Sequence, residues 1–175
     1  MNQNPVGNCV PLTHFPQIAR REQMQNHIPR LLLSATGSDS GKTTVMLALL
    51  SAFQKSGVVV QSYKSGPDYI DPMFHEAVTH RPAYHTDPFF LQSDAMKKLV
   101  AATAQQADLA LIEGAMGFYD GIGQTSEASA YTVSQWLETP AVLVVNPQKM
   151  GRSVAAICKG FLQLEPHNRI AGFLL

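Results

Sequence analysis

Thr36-Gly37-Ser38-Asp39-Ser40-Gly41-Lys42-Thr43-Thr44 follows the apolar run at residues 30–34 and opens a second apolar stretch, residues 42–55, that stops at Gly57. A buried strand, a turn of small residues and a helix in that order make a cradle for phosphate. Small residues let consecutive backbone N–H groups turn inward around phosphate oxygens. The helix behind them aims its positive end at the same anion. The candidate nucleotide-binding residues are therefore Gly37, Ser38, Asp39, Ser40, Gly41, Lys42, Thr43 and Thr44. In this Walker A pattern Lys42 bridges the β- and γ-phosphates, and the Thr43 hydroxyl ligates Mg²⁺. Thr36 takes the first glycine slot, and Gly41 allows close backbone approach. Asp39 would repel a triphosphate unless it turns outward or lies close to Mg²⁺. The plainer reading is a Gly/Ser-rich turn with an exposed lysine. The apolar strand before it and the apolar helix after it favour phosphate.

Outward from the loop, short apolar runs alternate with helical stretches. Strands are expected at residues 30–34, 58–63, 109–113, 141–145 and 170–175, each read as buried on both faces. Helices are expected at residues 42–55, 93–105, 127–137 and 153–164, with Ser93 as an N-cap. Strict rotation of strand and helix predicts an α/β fold. It has a parallel sheet of at least five strands with helices on both faces and right-handed crossovers. Ligands of such sheets bind at the carboxyl ends of the strands, so the loops after each strand carry the chemistry.

Two such loops are informative. After the second strand comes Lys64-Ser65-Gly66-Pro67-Asp68-Tyr69-Ile70-Asp71-Pro72. Asp68 and Asp71 read either as turn formers, or the cap of a helix over residues 72–79, or as holders of Mg²⁺. Beside a Walker A loop the Mg²⁺ reading is favoured. After the third strand comes Glu113-Gly114-Ala115-Met116-Gly117-Phe118-Tyr119-Asp120-Gly121. Glu113 ends a buried strand, the Walker B position, where a carboxylate reaches Mg²⁺ directly or through water. Asp120 faces a second substrate or forms an Asp-Gly turn. His75, His80 and His85 are spaced five and five and fit no helical metal face. They are read as loop histidines, or one as a substrate contact. Cys158 falls in an apolar helical stretch and is read as core.

Composition narrows the classes. The chain has 175 residues, 45% hydrophobic and 15% charged, which suits one globular domain rather than a disordered or coiled-coil chain. Thirteen Lys plus Arg balance thirteen Asp plus Glu, so there is no electrostatic case for nucleic acid or an anionic membrane. No apolar run approaches the ~20 residues of a membrane span, and the first residues lack a signal-peptide core. Cys9 and Cys158 give neither metal spacing nor a disulfide framework. The expectation is a soluble cytoplasmic protein. Residues 1–27, with Pro5, Pro11 and Pro16, read as an irregular lead-in, and residues 28–175 as the domain. The last residues, Ala171-Gly172-Phe173-Leu174-Leu175, form an apolar run without a cap, which reads as a fragment of a longer protein.

Taken together, these residues resemble the cobyrinic acid a,c-diamide synthase family, corrin amidases related to dethiobiotin synthetase and cobyric acid synthase. The specific part is the run from Lys64 through Pro72 continuing as Met73-Phe74-His75, Arg81-Pro82 with Asp87, and the run from Glu113 to Gly121. Met150-Gly151-Arg152-Ser153 is similar to the family as well. The resemblance implies a P-loop NTPase of the dethiobiotin synthetase-like kind that uses ATP and Mg²⁺ to amidate two corrin carboxylates through acyl phosphates. It implies a Mg²⁺ set of Thr43, Asp68 and Glu113. Lys42 and Lys64 would steady the migrating phosphoryl charge, which makes Lys42, Lys64, Asp68 and Glu113 the implied catalytic residues. Tyr69, Ile70, Asp71 and Asp120 would face the substrate, cobyrinic acid or a related tetrapyrrole. Ammonia would come from a C-terminal glutaminase domain that this sequence does not contain, and a homodimer is an open expectation. Hydrogenobyrinic acid and nickel-sirohydrochlorin are alternative substrates. A nucleotide-switch ATPase with a protein partner is a competing class, but Gly37 stands where its signature lysine belongs. A ligase for a small aliphatic acid is the third, and the Gly-Pro-Asp-Tyr-Ile-Asp run argues against it.

Overall fold

The computed structural model describes residues 28–175. The proposed lead-in at residues 1–27, with Cys9, lies outside them. Six strands form one parallel sheet: β1 (Arg30–Ala35), β2 (Val60–Lys64), β3 (Tyr84–His85), β4 (Leu109–Glu113), β5 (Ala141–Val144) and β6 (Ile170–Leu174). Their order across the sheet is β3-β2-β4-β1-β5-β6. Five helices lie between them: α1 (Lys42–Lys55), α2 (Ile70–Thr79), α3 (Ser93–Thr103), α4 (Ala130–Trp136) and α5 (Val154–Leu164).

Successive strand residues point to opposite faces, and both faces are buried here. Leu33, Ala35, Val60, Leu111 and Val144 pack with Met46 and Leu50 of α1 and with Val78 of α2. Leu32, Tyr63, Ala110, Ile112 and Leu143 pack with Met96 and Val100 of α3 and with Ala130 and Val133 of α4. Phe161 of α5 joins that second layer. This two-sided burial is why the strands read as continuous apolar runs with no polar alternation. Among the described residues, no helix is long and apolar enough to cross a membrane.

Several expected boundaries move, each for a local reason. β2 begins at Val60 rather than residue 58, because the Val59 N–H donates to the Asp108 side chain instead of a ladder (2.8 Å). The two-residue edge strand β3 has no apolar run to announce it; it exists because Tyr84 and His85 pair with Tyr63 and Lys64. α2 starts at Ile70, ahead of Pro72, which the first turn tolerates because its N–H would have no partner there. α4 starts at Ala130 rather than residue 127, since Ala128 takes φ 60° and Ser129 Oγ caps the Thr132 N–H. Ser93 is the first residue of α3 rather than its N-cap; Gln92 holds the cap position and makes no side-chain bond there.

Candidate active site

The loops after β1, β2 and β4 enclose a cleft of about 760 Å³ at the carboxyl end of the sheet. Residues 38–44 form one wall, and Lys64, Asp68, Asp71 and Met116 contribute to the other. Gly41 turns the chain into α1 with φ 82°, the left-handed region that a side chain would strain. The Ser40 hydroxyl closes the turn by donating to the Gly37 carbonyl (2.9 Å). Asp39 is exposed and lines the cleft with the rest of the loop.

Glu113 is the hub. It is fully buried, and both of its oxygens are engaged. Oε1 accepts the Thr43 hydroxyl at 2.8 Å and lies 3.4 Å from Lys64 Nζ and 3.8 Å from Lys42 Nζ. Oε2 lies 2.9 Å from His75 Nε2. Burial alone would push its carboxyl up. The His75 hydrogen bond, the Lys64 charge, the Thr43 hydroxyl and Lys42 outweigh burial and hold it below the usual range.

Lys64 ends β2 directly opposite Glu113 in the parallel register. Its side chain is 3% exposed, and its ammonium is paired with Asp71 as well as Glu113. Lys42 is shifted down, first by burial and then by the neighbouring Lys64 charge. Two lysines and two carboxylates thus share one pocket.

The two aspartates part company. Asp71 enters the cleft, with Oδ2 3.4 Å from the Thr43 hydroxyl. Asp68 stays at the rim, its side chain 42% exposed and 4.0 Å from Lys64. Asp68 Oδ1 accepts the Ile70 N–H at 2.8 Å, which tethers the start of α2. The slight burial of Asp68 raises its pKa, but the backbone donors beneath it prevail and bring it down.

Tyr69 and Ile70 are strongly exposed at the cleft mouth, 75% and 65%. The His85 ring lies tilted at 57° beside that of Tyr69, and its Nε2 donates to the Asp68 carbonyl (3.0 Å). Asp120 is turned back on its own loop, accepting the Gly117 N–H at 2.9 Å. It borders a separate apolar cavity of about 310 Å³, with Phe89, Phe90, Met116 and Ile122. His80 is exposed in the left-handed C-cap of α2, remote in role from the charged hub. Cys158 is half-buried rather than in the core.

The sequence reading takes His75 for a loop histidine or a substrate contact, whereas it is a buried residue of α2 bonded to Glu113. The five-and-five spacing of the histidines hid it. The available signal was its place three residues after Pro72 within a helix: Pro72 and His75 are the two buried positions of α2.

A family model described as an AAA domain matches residues 29–165. The chain is 43% identical over 146 residues to "Cobyrinate a,c-diamide synthase" of Priestia megaterium, covering 83% of this chain and 32% of that protein. It is 40% identical over 149 residues to "Hydrogenobyrinate a,c-diamide synthase" of Streptomyces coelicolor, covering 85% of this chain and 31% of that protein. The chain therefore spans about a third of the length of the curated relatives it matches. The structure is similar to that of hydrogenase maturation factor HypB from Archaeoglobus fulgidus, with a TM-score of 0.52 and 13% identity, over 87% of this chain and 84% of that one. That likeness concerns the fold alone. With its phosphate loop at the head of a six-stranded parallel sheet, the chain belongs to the AAA domain family of α/β P-loop NTPases, a nucleotide-binding fold.

Proposed function

We propose that this chain is the nucleotide-using part of an ATP- and Mg²⁺-dependent ligase. It would amidate the a and c side-chain carboxylates of cobyrinic acid in cytoplasmic cobalamin biosynthesis. The observation that carries the reading is the convergence of Lys42, Lys64, Thr43 and Glu113 on one cleft. The names of relatives at 40% and 43% identity support the substrate class.

A carboxylate is a poor acyl donor, and phosphorylation supplies its leaving group. The substrate carboxylate attacks the γ-phosphorus, the bond to ADP breaks, and an acyl phosphate forms. Ammonia then attacks the carbonyl carbon and phosphate departs. In this scheme the chain supplies position and charge. Backbone N–H groups of the phosphate loop hold the β- and γ-phosphates. Lys42 and Lys64 face the charge that migrates between nucleotide and substrate. Exposed Tyr69 and Ile70, with Asp120 beyond them, border the side from which a large macrocycle bearing carboxylate side chains enters.

The donor set suits Mg²⁺, because hard oxygens converge there: the Thr43 hydroxyl, Glu113 Oε1 and Asp71 Oδ2. Those residues would hold the ion, with Asp68 reaching in from the rim. When bound, Mg²⁺ supplies neutralisation of phosphate charge. Ammonia is proposed to come from a glutaminase domain in the longer protein.

The experiment is phosphate release with ATP, Mg²⁺ and ammonia, comparing cobyrinic acid, hydrogenobyrinic acid, a diaminononanoate and no acceptor. Release that depends on either corrinoid acid is the expected result. Equal release without any acceptor would support a nucleotide switch instead.

A further inference from the structure

Glu113 has a second partner that the proposed chemistry does not use. His75 is fully buried on α2, and its Nε2 sits 2.9 Å from Glu113 Oε2. Its other nitrogen, Nδ1, is buried with no partner among the described residues. An orphaned buried N–H is rarer in folded proteins than an under-used acceptor. The ionised Glu113 oxygen can only accept a hydrogen bond. The proton therefore belongs on Nε2, and Nδ1 keeps its lone pair. An apolar side chain would fill this site without stranding a nitrogen. Among the described residues, the one hydrogen bond that the His75 ring makes is to Glu113.

We propose that His75 is a positioning residue: by holding Oε2 from behind, it dedicates Glu113 Oε1 to the phosphate side of the cleft. The inference rests on the nucleotide- and Mg²⁺-dependent reading above. Oε1 is the oxygen that meets Thr43, Lys42 and Lys64. Without the imidazole the carboxylate is free to turn, and either oxygen can close onto the two ammonium groups. α2 thus acts twice, bringing Asp71 to Thr43 at its start and clamping Glu113 one turn later. Partners behind a metal-binding carboxylate or imidazole commonly govern metal affinity by about 10–100-fold.

The test uses the 175-residue chain and a non-hydrolysable ATP analogue, titrated by calorimetry with Mg²⁺ and with EDTA. His75→Leu is expected to lose about tenfold or more in the Mg²⁺-supported affinity and to match wild type in EDTA. His75→Gln, whose amide can donate to Oε2, is expected to regain most of the loss. Nitrogen-15 NMR of the wild-type chain should show a proton on His75 Nε2. Wild-type Mg²⁺-dependent binding with an unaltered His75→Leu overturns the positioning role alone. Failure of the wild type to bind nucleotide overturns the functional reading and this inference with it. A folded His75→Gln that rescues nothing makes His75 a space-filling residue. If His75→Leu does not fold, the Nε2 proton decides, and a ring protonated at Nδ1 alone overturns the proposal.

Discussion

The Thr43 hydroxyl donates to Glu113 Oε1 across 2.8 Å, joining the first turn of α1 to the last residue of β4. This bond holds the phosphate loop against the sheet. Thr43→Val keeps the shape and removes the donor. A hydrogen bond to a charged group contributes about 1.5–3 kcal/mol, so chemical denaturation should show a loss of that size. Thr43→Ser should be close to wild type. Equal stability of the Val variant would mean that the bond contributes nothing net.

Lys42→Ala is expected to weaken nucleotide binding without weakening the fold. Burial and the neighbouring Lys64 disfavour the Lys42 charge in the folded chain, so removing it relieves an unfavourable term. A lost charge-assisted contact to phosphate costs about 1.5–3 kcal/mol, roughly 10–150-fold in affinity. Calorimetry and melting temperature should move apart: affinity down, melting temperature unchanged or higher. Unchanged affinity would contradict the phosphate-loop assignment.

The acid limb of stability should depend on Glu113. Its carboxyl is held below the ordinary value of 4.5 in the folded chain. On acidification the unfolded chain takes up this proton first. The stabilisation is therefore complete above about pH 4.5 and is lost as pH falls through the lower folded value. Glu113→Gln should lower stability at neutral pH and flatten this limb. A pH profile parallel to wild type would show that Glu113 does not control it.

An alkaline limb should come from Tyr63. Burial pushes its hydroxyl up from 10.0 to about 12, even though the hydrogen bond with Thr103 works the other way. Between those values the folded chain keeps the proton and the unfolded chain loses it. Stability therefore falls as pH rises past about 10. Absorbance at the tyrosinate band should rise in step with unfolding, and Tyr63→Phe should lessen the slope.

Gly121→Ala should be the harshest of the loop-glycine changes. A Cβ there would overlap the Glu127 carbonyl oxygen and press on that of Thr125, both backbone atoms. Overpacking of this kind typically costs about 1–3 kcal/mol, and the loop that carries Asp120 must move. Gly37→Ala, where a Cβ meets nothing within 4 Å, is the control and should melt near wild type. Equal melting temperatures for the two would show that the loop yields freely.

Features set by near neighbours in the chain were legible in the sequence. The phosphate loop is a local strand-turn-helix unit, and its small residues, Lys42 and Thr43 need no distant partner to be recognised. Two-sided burial leaves continuous apolar runs, so β1, β4 and β5 were readable, as was Glu113 at the end of β4. The short strand β3 was not, because it is defined by its pairing with Tyr63 and Lys64 rather than by an apolar pattern. The division of labour between Asp68 and Asp71 was not legible either. It depends on where α2 begins: starting at Ile70, the helix turns Asp71 toward Thr43 and leaves Asp68 to bind the Ile70 N–H. His75 was hidden for the same reason. Its chemistry comes from Glu113, 38 positions away, and only the packing of α2 over the end of the parallel sheet brings the two side chains into contact.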